Sequence, residues 1–142
     1  MKRISRSAIV ECSAEDFYDL VEAIESYPEF LPWCVAAEMH ERGPGRSVAT
    51  LTLSAKGLRH SLTTENTHVR GQSIEMRLVE GPFRKFAAAW RFTPLGAGAC
   101  KAEYSMEYEF SNRVVAAALE PVFRRIADST VDAFAKRVAH AR

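Results

Sequence analysis

Residues 100–110 read CKAEYSMEYEF, and apolar and polar side chains alternate along the whole stretch. Successive side chains of a β-strand point to opposite faces, so this alternation predicts a strand with one buried face and one face in water. The residues of the buried face are Cys100, Ala102, Tyr104, Met106, Tyr108 and Phe110. Such a strand is typical of an antiparallel sheet that covers a core on one side.

The spacing of apolar residues changes directly after this strand. Ser111 and Asn112 are typical helix-capping residues, and beyond them the apolar positions recur with the helical period of about 3.6 residues. Pro121 lies inside the predicted helix, which indicates either a bend that follows the sheet or the hinge of a flexible lid. The apolar side of this helix carries Val115, Leu119, Val122, Phe123, Ile126, Thr130, Ala133, Phe134 and Val138.

The chain before residue 100 predicts further strands and one short helix. Residues 3–12 alternate as a strand, and Ser13 is a good N-cap for the helix that follows. Pro28 and Pro32 confine the next segment to a tight turn. Glycine-containing turns then divide residues 33–110 into about six strands of an antiparallel meander. The apolar stripe of the short helix is Phe17, Leu20, Val21 and Ile24.

These elements predict a single α+β domain over residues 1–142. A sheet with one face in water must bury its other face against a second layer, and the long C-terminal helix supplies that layer. Twist curves a sheet of this size around the helix. We therefore expect a curved antiparallel sheet of about six or seven strands wrapped around a long C-terminal helix, with a cavity between them.

Composition excludes several classes of protein. A hydrophobic fraction of 47% and a charged fraction of 26% are ordinary for a soluble globular domain. The 19 Lys+Arg against 18 Asp+Glu lack the basic excess of a dedicated nucleic-acid-binding protein, so we expect no DNA partner, although a balanced total can still contain a local basic patch. No apolar run approaches the ~20 residues of a spanning helix, and Cys12, Cys34 and Cys100 form no zinc or disulfide pattern. We expect a cytoplasmic protein, in a reducing compartment, with peripheral contact to the inner membrane left open.

No residue pattern indicates catalysis or a metal site. The chain lacks a nucleophile elbow, an informative Cys–His spacing and a phosphate-binding loop. The histidines have no carboxylate at a matching strand position, so we expect surface histidines: His40, His60, His68 and His140. Several charged residues fall on the water-facing side of their strands, where ionised groups avoid the cost of burial: Glu75, Arg77, Glu103, Glu107 and Glu109.

Five short strings carry a resemblance to a known family. They are YPEFLPWC at residues 27–34, LVEGPFRK at 78–85, WRFTPL at 90–95, YEFSN at 108–112 and PVF at 121–123. In this order and spacing they resemble the coenzyme Q-binding START-like family, which includes bacterial ribosome association toxins. The broader group also contains polyketide or oligoketide cyclases.

The resemblance implies a helix-grip fold of the START-like or Bet v 1-like type. It also implies a non-catalytic carrier that holds ubiquinone or a similar polyprenyl lipid and supports respiration, which is our first hypothesis. The alternative is a toxin that binds the large ribosomal subunit and blocks subunit joining, and a polyketide cyclase or aromatase comes third. The chain has Ala88-Ala89 where the family usually has a glycine pair, and alternation predicts that the Ala88 methyl group points into the cavity.

The predicted ligand site is an aromatic wall facing small residues. Tyrosine hydroxyls on an apolar wall suit a quinone ring, and alanines opposite them leave volume that a ligand would fill. The proline-bounded loop 27–33 is either a rim or a plug. The turn 81–83, if it lies at the same end, would complete an entrance at which an exposed Phe30 or Phe83 touches a bilayer or partner. The candidate ligand-binding residues are Tyr27, Phe30, Leu31, Trp33, Phe83, Ala88, Trp90, Phe92, Tyr104, Met106, Tyr108 and Phe123; the unfilled volume is expected beside Ala88, Ala102, Ala118, Ala127 and Ala133.

Basic residues from three segments form a second candidate surface. They are either ordinary surface charge, which the sequence favours, or a footprint for ribosomal RNA. These residues are Lys2, Arg3, Arg6, Arg84, Lys85, Arg124 and Arg125.

Overall fold

One antiparallel sheet of seven strands forms the body of the protein. The computed structural model describes residues 2–55 and 57–141, and within them the spatial order of the strands is β1-β7-β6-β5-β4-β3-β2. The α+β helix-grip prediction is confirmed. The strands are β1 (Lys2–Val10), β2 (Cys34–Gly43), β3 (Arg46–Ala55), β4 (Leu58–Val69), β5 (Ser73–Glu80), β6 (Phe83–Pro94) and β7 (Cys100–Phe110).

In the described residues, two α-helices and one 3-10 helix accompany the sheet: α1 (Ala14–Glu22), the 3-10 helix (Ile24–Glu29) and α2 (Arg113–Ala141). The Ser13 hydroxyl caps α1 by accepting a hydrogen bond from the Asp16 amide at 3.1 Å, as the sequence predicts. Pro121 lies within α2 without ending it. None of the helices in the described parts of the chain combines the length and apolarity needed to cross a bilayer.

The first strand is shorter than the sequence predicts. It ends at Val10, whereas alternation extends it to Cys12. Val10 pairs with Cys100, the first residue of β7, so the strand ends there and residues 11 and 12 turn the chain toward α1. Cys12 is still 1% exposed, because the turn carries it into the core.

The core lies where the inner face of the sheet meets α2. Phe134 of α2 is 1% exposed, and its ring centroid lies 5.3 Å from that of Trp90 on β6. Nearer the start of α2, the Phe123 ring lies 5.2 Å from the Tyr108 ring of β7. Centroid separations of this size are direct ring contacts, so the helix touches the sheet at both positions.

A chain of polar side chains crosses the core between β3, β4 and α1. His68 makes two hydrogen bonds, from Nδ1 to the Tyr18 hydroxyl at 3.1 Å and from Nε2 to the Ser47 hydroxyl at 2.8 Å. Asn66 donates to Ser47 Oγ at 3.3 Å, and Thr64 donates to Asn66 at 2.8 Å. The prediction of a surface histidine is therefore wrong for His68, because Tyr18 and Ser47 supply partners that sequence spacing does not reveal.

Removing the Phe134 ring is expected to destabilise the protein strongly. Phe134→Ala leaves a cavity against Trp90 and Tyr27, and truncation of a buried phenylalanine costs about 3–5 kcal/mol. Urea denaturation of the variant and the wild-type protein measures the difference. Val114→Ala, at a residue 80% exposed on the same helix, is the control and should change the unfolding free energy little. A loss below about 1 kcal/mol for Phe134→Ala would contradict this packing.

The His68 network predicts that acid weakens the fold. Burial lowers the pKa of His68; Glu22 opposes this shift and Arg42 adds to it. On acidification the unfolded chain therefore takes up a proton at this histidine first, so the free energy of unfolding falls as the pH drops from about 7.5 to about 5.5. His68→Gln should flatten this dependence, and the exposed His40→Gln should keep it. Equal pH dependence of the wild-type protein and His68→Gln would refute the prediction.

Candidate functional site

The predicted aromatic wall is assembled on the inner face of β6 and β7. The rings of Trp90 and Tyr104 lie 4.9 Å apart on the paired strands, and Phe92 stacks beside Trp90 with a centroid distance of 6.0 Å. Ala88 is 6% exposed and faces the core, so its inward orientation is confirmed. The inward wall residues that are buried are Ala88, Trp90, Phe92, Tyr104, Met106 and Tyr108.

Protein side chains occupy the space in front of this wall. Phe134 covers Trp90 and Phe123 covers Tyr108, as described above. The Tyr104 hydroxyl donates to the Met106 sulfur at 3.6 Å, and burial raises the pKa of Tyr104, which keeps the phenol protonated. The volume that the alanines indicate is therefore taken at these points by two phenylalanines of α2.

The loop after the 3-10 helix forms a groove with α2. The groove has a volume of about 590 Å³, with Phe30, Leu31, Pro32 and Trp33 on one side and residues 128–137 on the other. The loop side of the groove is apolar and suits an apolar group. The helix side carries Asp128, Asp132, Lys136 and Arg137 and suits a polar group.

The four predicted loop residues divide between the rim and the core. Phe30 is half-buried and lies under the Arg137 guanidinium, 5.1 Å from ring centroid to Cζ. Tyr27 is buried and donates its hydroxyl hydrogen to the Val21 carbonyl. Leu31 and Trp33 are 1% and 6% exposed. Phe30 is thus a rim residue and Tyr27 a core residue, whereas Leu31 and Trp33 are mostly buried and also form part of the groove wall.

Trp33 carries an unsatisfied polar atom. Its indole Nε1 is buried, and among the described residues it has no hydrogen-bond partner. Buried N–H groups are nearly always paired, so this donor is a candidate contact for a ligand acceptor in the groove that Trp33 lines.

Phe83 lies apart from this groove. It is 6% exposed, and its ring packs 5.3 Å from Phe110 and 5.2 Å from Phe123. Phe83 is therefore not an exposed contact residue: it belongs to an aromatic cluster under the start of α2 and does not line the groove, and an entrance that includes turn 81–83 stays a prediction.

Three basic residues meet in a second groove at the start of α2. Lys2 and Arg84, both among the predicted basic residues, line it together with Arg113. The other predicted residues lie elsewhere: Arg3 and Arg6, for example, pair with Glu107 and Asp128 at 3.2 Å each. Arg113 was not among the predicted basic residues. The capping pair Ser111-Asn112 marks the start of α2 directly before this residue, and that was the signal that could have identified it.

The described residues offer little for nucleophilic or metal chemistry. Residues 2–55 and 57–141 contain no group of three or more histidine, cysteine, aspartate or glutamate side chains placed to hold a metal. Burial raises the pKa of the Cys34 and Cys100 thiols to about 11, so neither is a reactive thiolate near neutral pH.

Known proteins resemble the chain along its whole length. It is 42% identical over 145 residues to the ribosome association toxin RatA of Escherichia coli K12, covering 100% of this chain and 92% of the relative. It is 24% identical over 142 residues to the mitochondrial coenzyme Q-binding protein COQ10 homolog B of Xenopus laevis, covering 96% of this chain and 58% of the relative.

Solved structures share the fold at low sequence identity. The Zhui aromatase/cyclase of a Streptomyces species superposes with a TM-score of 0.84 at 16% identity, over 97% of this chain and 93% of that one. This likeness concerns the fold alone. The family model for polyketide cyclase/dehydrase and lipid transport proteins matches residues 10–135. The chain therefore belongs to the polyketide cyclase/dehydrase and lipid transport family, which is START-like in fold.

Proposed function

We propose that this protein associates with the ribosome through the large subunit and hinders subunit joining, without catalysing a reaction. The observation that carries the proposal is the 42% identity to a ribosome association toxin over the full chain. The sequence-based order of hypotheses is thereby reversed, because the coenzyme Q-binding relative is only 24% identical. The cyclase hypothesis rests on fold likeness at 16% identity, which carries no activity.

The packing of the interior supports a function on the surface. Phe134 and Phe123 contact the rings that the quinone hypothesis assigns to a ligand. Charged side chains and grooves on the exterior are available for the recognition of a partner.

Sedimentation tests the proposal directly. Purified protein is mixed with large subunits, or with small subunits as the matched control, and each mixture is pelleted through a sucrose cushion. We expect the protein to pellet with large subunits and to lower the yield of joined ribosomes when small subunits are then added. Equal recovery with both subunits, or recovery with neither, would count against the proposal.

A second candidate function is binding of a quinone-like lipid in the groove between loop 30–33 and α2. The specific observation in its favour is the unpartnered Trp33 N–H, since a quinone carbonyl is an acceptor for such a donor. The groove's volume of about 590 Å³ is in the usual range for a small-molecule site. Phe30 at the rim would contact the start of the isoprenoid tail.

Removal of the indole N–H tests the lipid candidate. Trp33→Phe keeps a six-membered aromatic ring and removes the N–H together with part of the indole, so the affinity for a short-chain ubiquinone should fall about tenfold or more, the loss of one hydrogen bond and of some contact area. Calorimetric titration measures the affinity, and Phe83→Leu, in the separate aromatic cluster, is the control that should leave it unchanged. The candidate fails if purified protein yields no lipid on organic extraction and takes up no added quinone.

A further inference from the structure

The N-terminus of α2 opens into the second groove. This groove has a volume of about 410 Å³ and lies between the starts of β1 and β6, the end of β7 and the first turns of α2. Lys2, Arg84 and Arg113 reach it from three different elements. A long helix carries partial positive charge and unpaired N–H groups at its N-terminus, which favours an anion there.

The cap of α2 leaves two amides available. The Asn112 side chain accepts a hydrogen bond from the Val115 amide at 2.9 Å, and the Asn112 carbonyl accepts one from the Ala116 amide at 3.0 Å. The amides of Arg113 and Val114 precede these and have no intrahelical acceptor, because the first N–H groups of any helix lack one.

An independent feature of the groove is the Tyr108 hydroxyl. The Tyr108 side chain is 1% exposed, and its ring is held 5.2 Å from both Phe110 and Phe123. Tyr108 lines the groove, and among the described residues its hydroxyl has no hydrogen-bond partner. Burial and the neighbouring Glu120 carboxylate raise the pKa of Tyr108, against the influence of Arg124. The hydroxyl therefore remains a proton donor.

The charges around the groove favour an anion. Glu120 is neutralised by Lys2 at 2.5 Å and lies 3.9 Å from Arg124. The other carboxylate in the lining, Glu109, is 4.0 Å from Arg84. Arg113 has no carboxylate within ion-pair distance in the described parts of the chain. Three cations thus line the groove with two carboxylates, and the helix N-terminus adds to the excess of positive charge.

We propose that this groove binds a backbone phosphate of RNA, with Arg113, Arg84, the first amides of α2 and the Tyr108 hydroxyl as donors. The inference rests on the proposed ribosome association and names the contact that would serve it. Arginine is suited to phosphate because its guanidinium donates two parallel hydrogen bonds. A membrane is the less favoured source of phosphate, because binding in the interface needs a broad apolar face, and the first turn of α2 exposes a single large apolar side chain, Val114.

Nuclear magnetic resonance and binding titrations with a short single-stranded RNA test the site. We expect the RNA to shift the amide resonances of Arg113 and Val114. Arg113→Gln and Arg84→Gln should each lower the affinity about three- to tenfold and reduce its salt dependence by about one phosphate contact. Tyr108→Phe keeps the ring and removes the hydroxyl, and should lower the affinity about threefold. Arg91→Gln, also exposed on β6 and equal in charge change, should have no effect.

Two results would overturn the inference. One is an equal loss of affinity in Arg91→Gln and Arg113→Gln, which would indicate attraction to overall charge only. The other is binding to vesicles of phosphatidylglycerol with no shift of the Arg113 and Val114 amides by RNA.

Large-subunit sedimentation of the same variants separates this inference from the proposed function. RNA-induced shifts without subunit binding would support the phosphate site and reject ribosome association. Subunit binding that Arg84→Gln and Arg113→Gln leave unchanged would support the association and reject this groove as its contact.

Discussion

The contact between Trp90 of β6 and Phe134 of α2 holds the long helix against the inner face of the sheet, with ring centroids 5.3 Å apart. Burial of large aromatic rings is the main favourable term in a core of this size. Phe17 of α1 lies 5.7 Å from Trp90 and 6.3 Å from Phe134, so the first helix closes the same cluster. The sheet, α1 and α2 are thus held by one set of rings, and the grooves lie at the margins of α2.

The two grooves beside α2 differ in polarity because different parts of the helix pass different segments of the chain. Only two residues separate β7 from α2, so the N-terminus of the helix lies at the end of the sheet where β7 ends and where β1 and β6 begin. Lys2 and Arg84 lie at those strand starts, and the groove there is basic. Farther along, the helix passes loop 30–33, whose prolines and aromatic rings make the other groove apolar on one side. The direction of one helix accounts for both.

Periodicity in the sequence was sufficient to predict the architecture and the inward orientation of Ala88. Alternate side chains of a strand point to opposite faces of the sheet, so the face of each residue can be read from the local sequence. It was not sufficient for contacts between distant segments. His68 meets Ser47 and Tyr18, 21 and 50 residues away, and no spacing rule connects them. The contact of Phe134 with Trp90 could not be predicted either, because small residues on the sheet do not reveal which helix side chain lies opposite them.

The same packing bears on the choice between an internal lipid and an external partner. A quinone ring placed against Trp90 would have to displace Phe134 from its contact with that ring, and lost packing in a core costs stability. Ligand binding would have to offset that cost before any net affinity appeared. A partner that contacts the margins of α2 leaves the rings in place and meets no such penalty.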